Sequence, residues 1–386
     1  MDKRISTIAN PKVLVWARES MGFMEEEAAK KIGVKPYIFK TWESGESKPT
    51  ISQLRKAASV YKRPLAVFFL EKPPKEFKKP KDFRRLPRED VGETSPALSL
   101  AIRNAQRKRE IAINLCGLLG EKFETNIPHY TMSRDPEEAA TEARDTLGVS
   151  LSAQFAWRGK YEALRSWTEA LENRGVLVFQ MSGVAVNETR AFSIAEQNLP
   201  VVVINGKDFP SPRIFSIFHE YAHLMISMEG MCSFDEAGND VRARIEQYCN
   251  RFAGAFLVPK GSLLRENVVS HKKGMEWEDP VLEGLAQKYK VSEEVILRRL
   301  LILGKTTKEF YEKKRAEFIR RTEEQQEEKG GFLLPHSRAI RDNGGVFTNL
   351  VLRAYREENI TGSDVADYLG VRLKHLKKIE NDMLVR

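Results

Sequence analysis

The stretch FHEYAHLMI, residues 218–226, holds two histidines four residues apart with a glutamate beside the first. Positions i and i+4 of an α-helix share a face, so His219 and His223 can aim both imidazoles at one point. Glu220 stands within reach of a water molecule held at that point. These are the parts of zinc-dependent hydrolysis: the ion lowers the pKa of water and polarises a carbonyl, and the carboxylate accepts the proton. The plain alternative is a histidine pair on a helix surface. A purely structural zinc site is a weaker match, because such sites are usually closed by four protein ligands. A catalytic site needs a third protein ligand. The best candidate is Glu246 in RIEQYCNRFAGAFLVP, residues 244–259, which lies 23 residues beyond His223. Cys249 is three residues from Glu246 on the same helical face, and as a thiolate it is a rival ligand. Its other reading is a small buried residue.

The elements that must position these groups can be read from periodicity. GVLVFQ (175–180), AFSI (191–194) and LPVVVIN (199–205) are short β-prone runs that predict a small sheet. Such a strand can offer its edge to an extended peptide. Pro210, Ser211 and Pro212 then open a long helix, with Ser211 as its expected cap and Pro212 in its first turn. Residues 95–120, 136–147 and 159–174 read as helices, and the helical pattern resumes from about 243, broken by a polar stretch at 321–331. The expected fold class is mainly α with a small β-sheet, an α+β protein. The expected division is 1–71, a linker at 72–94, a body at 95–320 and a C-terminal helical subdomain at 332–386.

The run VVVIN…SPRIFSIFHEYAHLMI…IEQYCNRFAGAFLVP resembles the ImmA/IrrE family of zinc metallopeptidases, itself similar to the thermolysin-like enzymes. The resemblance covers roughly residues 160–305 and rests on Asn205, Arg213, Phe218, the H-E-x-x-H motif, Glu246, Asn250, Phe252, Ala253, Leu257 and Pro259. It implies His219, His223 and Glu246 as ligands of one zinc ion per chain, and Glu220 as the general base. Two departures stand out: Tyr221-Ala222 replaces the usual Leu-Gly, and Cys249 replaces the usual Ala. No residue singles itself out as the stabiliser of an oxyanion; His129, His271 and His336 have no spacing argument. Cys232 falls between the two metal helices, where a gating or oxidant-sensing role is the sharper reading and neither role the plainer one.

The net charge of +9 is unevenly placed. Residues 1–90 hold 21 Lys and Arg against 12 Asp and Glu, so the whole surplus lies there and the rest is neutral. A basic end on a neutral body suits a module that binds a polyanion. The segment AAKKIGVKPYIFKTWESGESKPTISQLRKAASVYKRPL resembles the Cro/repressor (XRE) type of helix-turn-helix. Trp42, Glu43, Gly45, Pro49 and Thr50 carry the resemblance, which covers about residues 12–70. It implies that the segment from about Lys35 to Trp42 enters the major groove of double-stranded DNA. Ile38 and Trp42 are expected to pack inward, leaving Lys35, Tyr37, Lys40 and Thr41 as contact candidates. Lys48, Lys56 and Arg63 are candidates for phosphate. The arm KKPKDFRRLP, residues 78–87, resembles a segment found after the helix-turn-helix in fused proteins of this kind; its basic residues can track DNA, or Phe83 and Arg84 can dock the two domains.

One pattern recurs. Ala29, Ala286 and Ala366 are each followed five residues later by Val34, Val291 and Val371, the packing signature of two tightly joined helices. Three cysteines and no apolar run of membrane-spanning length point to a reducing, cytoplasmic setting without a membrane. The whole reading is a DNA-binding transcriptional regulator with a zinc endopeptidase. It is expected to cleave a repressor or antitoxin-like protein in stress response or mobile-element control, and to act as a homodimer on paired half-sites. The alternative is a repressor whose zinc domain senses a ligand or partner without proteolysis.

Overall fold

The computed structural model describes residues 9–74, 83–84, 95–122, 124–227, 239–327 and 333–384. The chain clusters into two compact units, residues 1–79 with 87–106 and residues 80–86 with 107–386. The fold is mainly α with a small β-sheet.

The first unit is built from α1 (Pro11–Glu19), α2 (Glu25–Ile32), α3 (Pro36–Ser44) and α4 (Ile51–Val60), followed by a 3-10 turn at Leu65–Phe69. Local chemistry sets each boundary. Asn10 caps α1 through its side chain, Gly33 ends α2 in the left-handed region, and Thr50 with Gln53 forms a capping box for α4. The residues that carry the helix-turn-helix resemblance are spent on this fold. Trp42 is buried against Phe39, their ring centroids 6.0 Å apart. Glu43 accepts a 2.9 Å hydrogen bond from Arg18 Nε. Gly45, at φ +83°, ends α3 close against Pro11. The inward pair of α3 is therefore Phe39 and Trp42, with Ile38 only half-buried at the rim.

The second unit holds a sheet of four strands in the order β1-β3-β4-β2: β1 (Phe83–Arg84), β2 (Leu177–Met181), β3 (Ala191–Ile194) and β4 (Val201–Asn205). β3 is antiparallel to both its neighbours, and β2 runs parallel to β4. Every residue of β3 and β4 is buried, which explains why VVVIN is a continuous apolar run rather than an alternating one. The arm residues Phe83 and Arg84, read from the sequence as linker, add a two-residue strand; their side chains and the rest of the arm lie outside the described residues.

In the second unit, α5 (Pro96–Leu118, which the division cuts after Gln106), α6 (Pro136–Leu147), α7 (Leu151–Ala156) and α8 (Lys160–Glu172) precede the main strands. After β4 come α9 (Pro210–Ser227) and α10 (Asn239–Leu257). The short α11 (Lys260–Leu264) and α12 (Asn267–Ser270) lead to α13 (Asp279–Tyr289), α14 (Glu293–Ile302) and α15 (Lys308–Glu327). The chain closes with α16 (Pro335–Asn343), α17 (Gly345–Arg356), α18 (Gly362–Leu369) and α19 (Leu376–Leu384). α9 is buried almost all round, so the apolar run RIFSIF…LMI reflects a core helix rather than an amphipathic one. No helix among the described residues is long and apolar enough to cross a membrane.

The recurring alanine–valine pattern has one physical origin. In all three copies the valine amide donates back to the alanine carbonyl at 3.0 Å, across a residue in the left-handed conformation: Gly33, Lys290 or Gly370. The repeat is thus a helix stop. Lys290 takes this backbone at φ +59°, although glycine favours it.

Glu172 ties α8 to the C-terminal helices. It is buried, and its Oε2 accepts the Gly345 amide at 3.2 Å, at the N-terminus of α17. Gly344 precedes it at φ +75°, where an added Cβ would lie 2.5 Å from Glu172 Oε1 and 2.5 Å from the Val178 carbonyl. Burial pushes the Glu172 carboxyl up to about 8, against smaller opposing pulls from the amides of Val346 and Gly345. A carboxyl raised in the folded state binds its proton more tightly there than in the unfolded chain. Its contribution to stability therefore falls as pH rises from the ordinary carboxylate range to about 8, and the penalty is complete above that. Glu172→Gln is expected to remove this dependence. Chemical denaturation at about pH 5 and about pH 9 should show the variant gaining on the order of 4 kcal/mol over the parent at the higher pH. Parallel profiles would reject the assignment.

Candidate metal centre and nucleic-acid face

A braced turn delivers the chain from β4 into α9. Asn205, the last residue of β4, donates to the Thr189 carbonyl at 3.0 Å and accepts from the Lys207 amide at 3.0 Å. Asp208 pairs with Arg190 at 2.8 Å. The Arg213 amide donates to the Phe209 carbonyl at 3.1 Å, so the helix starts at Pro210, two residues before Pro212. Ser211 lies inside the helix, not at its cap; the Phe209 carbonyl opens the first turn. Arg213 is buried and donates to Gln180 Oε1 at 2.9 Å, tying α9 to β2. Asn205 and Arg213, which mark the family resemblance, thus set where α9 starts.

From that start the helical period brings His219 and His223 onto one face. Their Nε2 atoms lie 3.2 Å apart. Glu246, on α10, reaches both: Oε2 is 3.2 Å from His219 Nε2 and Oε1 is 3.2 Å from His223 Nε2. The three residues each offer a donor atom within 4.8 Å of the others, the one such group among the described residues. The histidines are buried, whereas the Glu246 side chain is 40% exposed. The group is therefore sunk into the core on the α9 side and open on the α10 side. Burial alone would raise the Glu246 carboxyl. Hydrogen bonds and charge from His219 and His223 outweigh it and hold the group well below the usual carboxylate range. Two imidazole nitrogens and a carboxylate form a donor set that zinc accepts, and other first-row divalent ions accept the same donors.

Cys249 is not in that group. Its thiol is fully buried against His223, and burial pushes it up despite the opposing pull of that imidazole. Its short side chain stays in the α9–α10 seam, while the longer Glu246 reaches the point where the imidazoles meet. Glu220 is fully buried, and Ser193 Oγ donates to its Oε2 at 2.8 Å. Ser193 is a contact that periodicity does not reveal. Its only sequence signal is a hydroxyl inside the otherwise apolar strand AFSI. His129 and His271 are exposed, and His336 faces Asp382 at 3.7 Å in the C-terminal helices; none joins the metal group. Cys232 lies outside the described residues.

The position of Glu246 depends on how α10 is anchored. The last carbonyls of a helix lack intrahelical partners. Here side chains from three helices supply them: Arg144 donates to the Phe256 carbonyl, Gln154 to Leu257 and Arg299 to Val258, each at 3.0 Å. Behind the histidines, Phe218 stacks on Phe256 with centroids 4.0 Å apart, and the Trp167 ring meets both edge-on.

In the first unit, Lys35, Tyr37 and Lys40 are exposed on or at the start of α3, and Lys48 is exposed in the turn that follows. The exposed Lys40 pairs loosely with the half-buried Glu25 at 3.4 Å, a contact worth little in water. Thr41 is only half-exposed, and its hydroxyl donates to the Ile38 carbonyl at 2.8 Å and lies 2.5 Å from Ser47 Oγ. Arg63 is committed elsewhere: its guanidinium lies 4.2 Å from the Trp16 ring centroid and donates to Ser20 Oγ. Lys56 is exposed on α4.

The two helices make a direct prediction about the third ligand. Glu246→Ala should weaken zinc binding, measured by titration against a chromophoric chelator, by more than the roughly 10–100-fold that outer-shell changes cost. Cys249→Ala should bind one zinc ion with affinity within that outer-shell range. The reverse ranking would make Cys249 the ligand.

A search of curated proteins finds no match to the chain. The family model that does match covers residues 171–301, about a third of the chain, from the end of α8 through β2 to α14. This segment, which includes His219, Glu220, His223, Ser193 and Glu246, is similar to the IrrE N-terminal-like domain of the Peptidase_M78 family, a family of metal-dependent peptidases.

Proposed function

We propose that this chain is a DNA-binding transcriptional regulator carrying a zinc-dependent endopeptidase. The observation that carries the reading is the convergence of His219, His223 and Glu246 within 4.8 Å, with Glu220 one residue from the first ligand. In this reading the three residues hold the metal and Glu220 is the general base. A zinc ion bound there supplies Lewis acidity toward water and the scissile carbonyl. The protein supplies the rest. Glu220 takes the proton from the attacking water and returns it to the departing amine nitrogen. Ser193 holds the far oxygen of that carboxylate, so the near one keeps its aim. An extended polypeptide laid beside β3 would bring its carbonyl to this carboxylate.

The substrate is a regulatory protein, a repressor or antitoxin-like partner, in control of stress response or mobile elements. The basic charge of residues 1–90 supports this assignment, since it would place the peptidase beside DNA-bound proteins. We assign Lys35, Tyr37 and Lys40 to the major groove of double-stranded DNA, with Thr41 a lesser contact because its hydroxyl is already engaged. Lys48 is assigned to phosphate. A homodimer in the cytoplasm completes the reading, as paired half-sites favour two-fold binding.

Glu220→Gln tests the chemistry. It should retain zinc and DNA binding, lose partner cleavage by about 10²–10⁴-fold, and trap the uncleaved partner in a pull-down from the host. Cleavage that persists in the zinc-loaded variant contradicts the assigned base. DNA binding has its own test. Lys48→Ala should lower the slope of log affinity against log salt by about one, and Tyr37→Ala should relax sequence preference while leaving that slope unchanged. A protein without salt-dependent affinity for duplex DNA rejects this half of the reading.

A further inference from the structure

We propose that Phe83–Arg84 occupies, within the same chain, the β-sheet edge on which an extended polypeptide substrate must lie. The inference rests on the peptidase reading and adds a self-occupied resting state to it. β3 has two sides. On one it pairs with β4 and on the other, among the described residues, with β1, through Phe83 opposite Phe192 and Arg84 opposite Ala191. Remove β1 and β3 becomes an edge strand that can template an added chain, with the Ala191 carbonyl also accepting from Thr189 Oγ1 at 2.9 Å. This edge also borders the metal site. Ser193, which holds Glu220 at 2.8 Å, is the residue after Phe192, so the paired segment ends one residue from the residue that positions the base.

The segment also pairs as an added peptide does. It runs antiparallel to β3, the arrangement in which main-chain hydrogen bonds bind an extended guest. Its hold is short. Two residues exchange few backbone hydrogen bonds, each worth only about 1 kcal/mol net. In the sequence Pro80 and Pro87 bracket it, and proline has no N–H to extend a ladder. A longer guest without proline would make more bonds on the same edge and displace it. The occupant is held near by its own chain, so its high effective concentration compensates for the short pairing.

The test uses the full chain, zinc-loaded and carrying Glu220→Gln, with a fluorescein-labelled peptide KKPKDFRRLPR copied from residues 78–88. Phe83→Pro with Arg84→Pro removes both amide donors. This double variant should bind the free peptide at least about tenfold more tightly than its parent by anisotropy. The amide of Ala191, which the alternation of the ladder turns away from β4 and toward β1, should exchange hydrogen about tenfold faster in the variant and slow again when peptide is added. Phe83→Gly with Arg84→Gly, which weakens the strand without blocking it, should shift both readings the same way by a smaller factor. Equal peptide binding, or unchanged exchange at Ala191 in both variants, overturns the proposal. Neither reading requires turnover, so failure of the peptidase assignment would be seen separately. With Glu220 restored, the proline variant should hydrolyse casein about tenfold faster than the natural chain. An unchanged rate on a freed edge would place the substrate elsewhere.

Discussion

The stacked contact of Phe218 on Phe256, with centroids 4.0 Å apart, is the interaction on which the metal group depends. The three donor residues of the proposed site come from two helices, and neither helix brings them together alone. Phe218 precedes His219 directly, and Phe256 lies on the helix that carries Glu246, so the stack sets the spacing between the ligand rows. Trp167 of α8 closes the cluster from behind, and the α10 carbonyls are held by Arg144, Gln154 and Arg299 from three other helices. Truncating such a buried aromatic typically costs about 3–5 kcal/mol, and here the loss would also let the ligand rows drift.

The site was legible in proportion to how local it is. His219, Glu220 and His223 lie within five residues, and helical period alone puts the imidazoles together. Glu246 and Cys249 share a helical face, so spacing left both open; in the structure Glu246 approaches both imidazoles while Cys249 is buried beside His223. Ser193 could not be read, because its contact with Glu220 crosses from strand to helix over 27 residues. The start of α9 was misplaced because a backbone carbonyl opens its first turn, and Ser211, a good capping residue by type, lies inside. The fold class followed from periodicity, since fully buried strands and a fully buried helix both show as unbroken apolar runs. β1 was hidden because nothing in a lysine- and proline-rich run distinguishes two residues that find a strand partner.

The first unit shows a different division. Trp42, Glu43, Gly45 and Thr50 made its helix arrangement recognisable, and each is used inside that arrangement, as core, ion pair, helix stop or cap. The residues that identify the module are therefore not those that face outward. The exposed Lys35, Tyr37 and Lys40 follow from which face of α3 Phe39 and Trp42 bury. The repeated alanine–valine pattern teaches the same point, since three copies share a backbone turn and nothing in that turn concerns DNA.

In the proposed function His219, His223 and Glu246 form one metal centre. Anomalous diffraction at the zinc edge from crystals of the zinc-loaded chain tests it most directly. A single strong peak per chain is expected, about 2.0–2.2 Å from Nε2 of both histidines and an oxygen of Glu246. A peak ligated by Cys249 Sγ in place of Glu246, or no peak between α9 and α10, would contradict it.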